Sequence, residues 1–242
     1  MKVLLVVLLC ISPMSAFAFD VDDLIAHNLK HSWYTGKGIS HGDSFEYFVC
    51  DWSTVQEERH GCYHIVMTFY AQLESYNGIR WVVQAETTSP QYNIHHIFLI
   101  DPETLQIETN HAAYGLARSV ENTIFYLVQF ASVHLPKNLQ VGSVWGTVPS
   151  PIDIGSEMII TTQDVIDTDT YTFDVFLVQY GLFESSVFVV SPEMPFPISA
   201  VAYDPSYITT DPPIMFSFEL LEYLPASKDS VTILDRIENT TG

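Results

Sequence analysis

Gly-Asp-Ser-Phe-Glu-Tyr-Phe-Val-Cys at residues 42–50, Cys-Tyr-His-Ile-Val-Met-Thr-Phe-Tyr-Ala-Gln-Leu at 62–73 and Ile-Arg-Trp-Val-Val-Gln-Ala-Glu at 79–86 form the stretch on which the fold turns. In the middle piece Ile65, Met67, Phe69, Ala71 and Leu73 alternate with His64, Val66, Thr68, Tyr70 and Gln72. That period of two belongs to a strand with one apolar face. Trp81, Val83 and Ala85 alternate in the same way with Arg80, Val82 and Gln84. Asn77-Gly78 between them signals a hairpin, because a tight primed turn needs residues that tolerate positive φ. The stretch reads as three consecutive antiparallel strands with Met67, Phe69 and Trp81 on the core side.

Toward the N-terminus, Met1 and Lys2 precede an apolar run from Val3 to Ile11, and Ala16-Phe17-Ala18 offers the small-x-small pattern that signal peptidase cleaves. Residues 1–18 are therefore read as a secretory signal peptide. The run is too short for the roughly 20 apolar residues that span a bilayer, and no later segment reaches that length free of charge. The expected location is secreted and extracytoplasmic, associated with the cell surface, with no transmembrane segment in the mature chain. Loss of the leader removes Cys10 and leaves Cys50 and Cys62, for which a disulfide is the default in an oxidising compartment. Closing so short a loop stabilises by about 3 kcal/mol in chain-entropy terms. The rival reading is a metal site combining a cysteine with His60 or His64, but Cys-x-His lacks further ligands at a known spacing.

The chain carries 29 acidic and 9 basic residues, a net charge of −20. Such a surface repels nucleic acid and anionic lipid headgroups, so no nucleic-acid partner is expected. A hydrophobic fraction of 48%, with 13% aromatic, excludes disorder and supplies enough apolar material for one large core or two small ones.

Residues 19–38 are expected to form an N-terminal amphipathic helix and linker: Val21, Leu24, Ile25 and Leu29 fall at helical spacing, with Asp20, Asp22 and Asp23 at the start and Lys30 at the end as the helix dipole favours. A β-rich domain follows over residues 39–225. Within it, residues 94–100 read as a fourth strand ended by the Asp101-Pro102-Glu103-Thr104 turn, and 105–109 as a fifth. The period then changes: Leu116, Val120, Ile124, Leu127, Val128 and Ala131 share one side, and Pro136 stops the run. This predicts one long helix at 112–133, between two strand series. Strands resume at 139–146, 157–162, 171–180, 183–190 and 214–223; Met194-Pro195-Phe196-Pro197-Ile198 reads as a proline-interrupted edge or crossover. Residues 226–242 read as a polar C-terminal tail.

Gly42-Asp43-Ser44-Phe45 and Gly142-Ser143-Val144-Trp145 each open a strand series with a glycine, a polar residue and an aromatic soon after. The halves can therefore be read as related, with the identity too sparse to decide it. The expected fold class is α+β, mainly antiparallel β, with curved sheets around one long central helix.

Few sites stand out. His60 and His64, with Asp164, Asp167 and Asp169 from the densest acidic run, are the candidate metal ligands, for a transition metal or calcium; the run lacks the glycine and terminal glutamate of an EF-hand loop. His95 and His96 are adjacent in a predicted strand, so their rings point to opposite faces. Trp81, Phe125, Phe130 and Trp145 are candidate walls of an apolar ligand groove between sheet and helix. Asn239-Thr240-Thr241 is a glycosylation pattern. No Gly-x-Ser-x-Gly, His-Glu-x-x-His, phosphate-cradling loop or Cys-x-x-Cys is present, so neither an enzyme nor a cofactor is predicted.

The motifs at 42–51, 62–69, 81–85 and 141–146, with Met-Pro-Phe-Pro-Ile at 194–198 and Phe-Ser-Phe-Glu-Leu-Leu at 216–221, resemble a group of uncharacterised exported proteins of ammonia-oxidising archaea (Thaumarchaeota). The resemblance implies a shared fold and export and no activity. In architecture alone, curved antiparallel sheets with an inner helix are similar to lipoprotein-carrier folds of the cell envelope. The expectation is a non-enzymatic binding or interaction module at the envelope, taking an apolar ligand or an envelope protein as partner. The alternative is a metal-binding or metal-delivery protein using histidines and carboxylates.

Overall fold

The computed structural model describes residues 31–52, 61–76, 78–90, 93–108, 135–148, 156–167, 172–181, 186–204 and 212–226. Their regular structure is all strand: β1 (Ser32–Trp33), β2 (Ser44–Asp51), β3 (Gly61–Ser75), β4 (Gly78–Thr88), β5 (Asn93–Ile100), β6 (Ile107–Glu108), β7 (Lys137–Asn138), β8 (Val144–Val148), β9 (Ser156–Asp167), β10 (Thr172–Tyr180), β11 (Ser186–Val190), β12 (Ser199–Tyr203) and β13 (Ile214–Leu224). Eleven of them form one sheet in the order β6-β5-β4-β3-β2-β13-β12-β11-β10-β9-β8, and β1 pairs with β7 in a separate ribbon. All pairings are antiparallel. One meander walks outward from β2 to β6; the other returns from the far edge at β8 and closes β13 against β2 in the middle.

The opening stretch folds as its pattern requires. β2, β3 and β4 pair in order, Cys50 faces Cys62 across β2–β3 and the two are disulfide-bonded, and the β3–β4 hairpin closes with Ser75 opposite Gly78. Gly78 has φ of 103°, a left-handed conformation that a side chain disfavours. Met67, Phe69 and Trp81 are buried as expected, and so are Phe45, Tyr47 and Val49 on β2.

The sheet is strongly curled. Laid flat, its outer strands would stand about 48 Å apart at ~4.8 Å per step. Yet Trp33 stacks on Trp145 of the edge strand β8, with ring centroids 5.7 Å apart. Three residues on, a Cβ at Gly36 would lie 3.4 Å from Leu105, which precedes β6 at the opposite edge. A four-residue segment reaches at most ~14 Å, so curling must bring the edges toward each other. The inner-face side chains then meet in one core that runs from Ile107 to Trp145.

Residues 191–198 cross this concave face. Phe196 inserts between Phe45 and Phe69, with centroids 5.0 and 5.7 Å away. The carbonyls of Met194, Pro195 and Pro197 accept hydrogen bonds from the Trp33 indole (2.8 Å), the Gly36 amide (2.7 Å) and the Tyr47 hydroxyl (3.0 Å). Proline suits a buried crossing of this kind, since it has no N–H to satisfy and its carbonyl remains available to buried donors.

The predicted α+β architecture is therefore corrected: the described residues hold one large antiparallel sheet and no helix. Residues 112–133 lie outside the described residues, as do 20–30 of the predicted amphipathic helix and 227–242 of the tail. Filling of the concave face, assigned from the sequence to the helix, is done among the described residues by the strands' own aromatic rings and by 191–198. Of the two readings of Met194 to Ile198, edge or crossover, the crossover is the one the structure shows. The predicted strand at 157–162 continues to Asp167, because Val165 and Ile166 pair with Asp174 and Phe173 of β10. The fifth strand starts at Ile107 rather than Leu105, because Leu105 adopts φ of 55° and its amide closes a turn onto Asp101 at 2.9 Å; Thr109 lies outside the described residues. β12, rich in serine and alanine, went unpredicted.

The two glycine-led motifs are built alike. Gly42 and Gly142 have φ of 92° and 86°. Gly42 donates to Phe69 (2.6 Å), whose amide returns to Asp43 (2.9 Å); Gly142 donates to Ile160 (2.8 Å), whose amide returns to Ser143 (3.1 Å). In each case the facing strand bulges one residue later, at Tyr70 in β3 and at Thr161 in β9.

Candidate functional site

Of the four groove candidates, Trp81 and Trp145 are described, and both are buried in the core. Trp81 meets Phe69 edge-on at 5.9 Å. Trp145 lies on Trp33 and donates its indole N–H to the Asn138 carbonyl at 2.9 Å. Among the described residues both rings pack against other core rings. Phe125 and Phe130 lie outside the described residues.

Of the metal candidates, His64, Asp164 and Asp167 are described, and His60 and Asp169 are not. His64 sits on the outer face of β3, where its Nδ1 meets Glu46 Oε1 at 3.0 Å. Asp164 is far along the sheet in β9, its Oδ1 accepting the Val165 amide at 2.8 Å, and Asp167 ends that strand. The acidic run is thus largely strand, and extended backbone spreads its members instead of wrapping them round one ion. Among the described residues no three His, Cys, Asp or Glu side chains come close enough to hold a metal. His95 and His96 diverge as predicted: His95 lies beside Gln84, and His96 beside Phe98 of the core face. Asn239 lies outside the described residues.

The feature the sequence reasoning passed over is on the outer face of the central strands. In β2 the even positions point outward: Ser44, Glu46, Phe48 and Cys50, continued by Trp52. Trp52 stays in the ladder, its amide donating to the Met215 carbonyl at 2.9 Å. Phe48 is 36% exposed and Trp52 43%, in a protein whose other described tryptophans are buried. The disulfide lies between them. Phe48 is flanked by His64, with ring centroids 5.2 Å apart, and faces Glu219 across β13. Glu46 faces Glu222 on the same strand. An aromatic at an outward position of an alternating strand is the signal that was present in the sequence.

The charges around this surface are one-sided. The described cations are Lys37, Arg80 and Lys137. Lys37 donates to the Ser32 carbonyl at 2.6 Å and Lys137 to the Trp145 carbonyl at 2.8 Å. Burial lowers both amine pKa values, offset for Lys37 by the Glu193 carboxylate. Arg80 is held between Asp101 (3.1 Å) and Glu108 (2.7 Å), tying β4 to the β5–β6 edge. All three are spent on internal contacts. Elsewhere on the outer face, a depression of about 250 Å³ between β9 and β10 is lined by Ser156, Glu157, Ile159, Thr161, Gln179 and Gly181. Its one carboxylate offers no acid–base pair.

No protein-family model matches the chain, and no curated protein matches it either. Two solved structures are similar to it in outline. One is a Bacteroides fragilis protein described as exported and of YmcC-like fold, with 7% identity over 80% of this chain and 99% of that chain and a TM-score of 0.34. The other is a Parabacteroides distasonis protein described as a lipoprotein, with 12% identity over 79% of this chain and 99% of that one and a TM-score of 0.28. At such identities no site residue carries over. No helix among the described residues is long and apolar enough to cross a membrane, which leaves strand-based insertion untouched.

Proposed function

We propose that this chain is an extracytoplasmic, non-enzymatic interaction module that engages an envelope protein through its outer surface. The observation that carries this reading is the packing of the concave face among the described residues, where Trp81 and Trp145 are both buried in one core that runs across the sheet. That arrangement favours a protein partner over an apolar ligand, because a ligand site needs a concave apolar wall left uncovered. The compartment rests on the signal-peptide pattern of residues 1–18 and on the Cys50–Cys62 bridge, which persists where thiols oxidise. The resemblance to exported proteins of ammonia-oxidising archaea supports the same compartment.

The test is native mass spectrometry of the exported chain purified without detergent, together with cross-linking in the envelope of its host. The expected result is the bare disulfide-bonded chain and one discrete protein adduct. A stoichiometric lipid carried through purification would overturn the protein-partner reading.

A further inference from the structure

From the outer face of β3, β2 and β13 we infer the chemistry of that partner: Phe48 and Trp52, with Glu46, Glu219 and Glu222, form a docking surface for an extended, lysine- or arginine-bearing protein segment. The inference deepens the interaction-module reading and rests on it. Phe48 and Trp52 stand four residues apart on one strand face, about 13 Å at ~3.3 Å per residue. An extended segment running alongside presents same-face side chains at that repeat, so cationic side chains at i and i+4 meet both rings. The electron-rich ring faces attract ammonium and guanidinium groups.

The carboxylates act in the same direction. Glu46 and Glu222 are directly opposed across β2–β13, and Glu219 opposes Phe48. Like charges facing each other across strands destabilise the pair, and a bound cation relieves that repulsion. Glu46 has a neighbour in His64, whereas Glu219 and Glu222 are exposed. With a net charge of −20 and the described cations all engaged internally, the field at this surface steers basic partners in and turns acidic ones away. The Cys50–Cys62 bridge lies between the rings and holds the two strands beneath them in register. Hard divalent ions are held by oxygen ligands and gain little from a ring face, whereas ammonium and guanidinium groups use both, so rings and carboxylates together favour a side-chain cation over a bare divalent one.

The experiment uses the exported chain with its disulfide intact and a fluorescein-labelled peptide alternating lysine and serine, with a glutamine–serine peptide as control, read by anisotropy at about 0.15 M salt. The expected result is saturable one-to-one binding of the lysine peptide alone. Phe48→Ala with Trp52→Ala should weaken it about tenfold, two exposed cation–π contacts being worth roughly that factor. Glu219→Gln with Glu222→Gln should weaken it several-fold. Both pairs are solvent-exposed, so unchanged circular dichroism is expected and separates loss of contact from loss of fold. Distant neutralisations, Glu157→Gln and Asp174→Asn, should leave binding unaltered. Absence of saturable binding overturns the inference, as does an equal loss from the distant pair. A neutral oligosaccharide binding in place of the peptide, with the same dependence on Phe48 and Trp52, also overturns it. In any of those cases a cross-linked envelope partner would leave the broader interaction reading standing.

Discussion

Phe196 is the side chain through which the crossing segment fills the sheet, and truncating it tests that architecture directly. It is 1% exposed and lies between Phe45 and Phe69. Phe→Ala changes at buried sites cost ~3–5 kcal/mol, the upper end applying where neighbours cannot collapse into the space. Collapse is restrained here. Phe45 is stacked on Tyr223 at 4.9 Å and Phe69 is held edge-on by Trp81 at 5.9 Å, while carbonyls on either side of Phe196 are pinned by Trp33 and Tyr47. We therefore expect Phe196→Ala to lose about 4 kcal/mol. With a urea dependence of about 3 kcal/mol/M for a chain of this size, the midpoint should fall by roughly 1.3 M. The assay is urea unfolding with the disulfide intact, followed by tryptophan fluorescence and far-UV circular dichroism. Phe196→Leu should recover about half of the loss. A loss below about 1.5 kcal/mol for the alanine variant would refute the reasoning, since it is what a loosely draped surface segment gives.

Three further outcomes follow from single contacts. Tyr47→Phe leaves the Pro197 carbonyl without its buried donor and should cost about 1–2 kcal/mol. Burial raises the Tyr47 pKa above its ordinary value, so its contribution is whole below pH ~10 and is lost as the pH rises beyond it, by up to ~1.4 kcal/mol per unit; the phenylalanine variant should show a flatter alkaline limb in unfolding free energy. At Asp101, burial alone would raise the pKa, but hydrogen bonds from Thr104 and Glu103 and the charge of Arg80 outweigh it and hold the carboxyl low. The contribution of Asp101 is thus present above pH ~4 and lost on further acidification, and Asp101→Asn should flatten the acid limb measured by urea titration at stepped pH. Replacing Cys50 and Cys62 by serine should lower stability by about 3 kcal/mol in the same assay, and an unchanged midpoint would show that the bridge constrains nothing in the unfolded chain.

The candidate site was less legible than the strands, for a physical reason. Alternation in residues 44–52 fixes which side chains point outward, so Phe48 and Trp52 could have been singled out as apolar residues on the solvent face. What alternation cannot give is their neighbours. Glu219 and Glu222 reach Phe48 and Glu46 from more than 160 positions away in sequence, by the pairing of β13 with β2. The burial of Trp81 and Trp145 against other rings was hidden for the complementary reason: an aromatic facing inward looks the same in sequence whether it meets a ligand or another ring.

The sequence by itself determined the local features: the alternating strands of residues 44–88, the Gly78 hairpin, the Asp101 turn, the Cys50–Cys62 pairing and the burial of Met67, Phe69 and Trp81. Each depends on residues within one strand or across one turn, where stereochemistry leaves few choices. Only the tertiary structure decided the strand order, the curl that brings Leu105 and Trp145 to either end of residues 33–36, and the use of 191–198 as filler. Those outcomes depend on contacts between residues far apart in the chain. Prolines that read as an edge or a crossover supply carbonyls to buried donors in the crossing, a role that exists only once Trp33, Gly36 and Tyr47 have been brought beneath them.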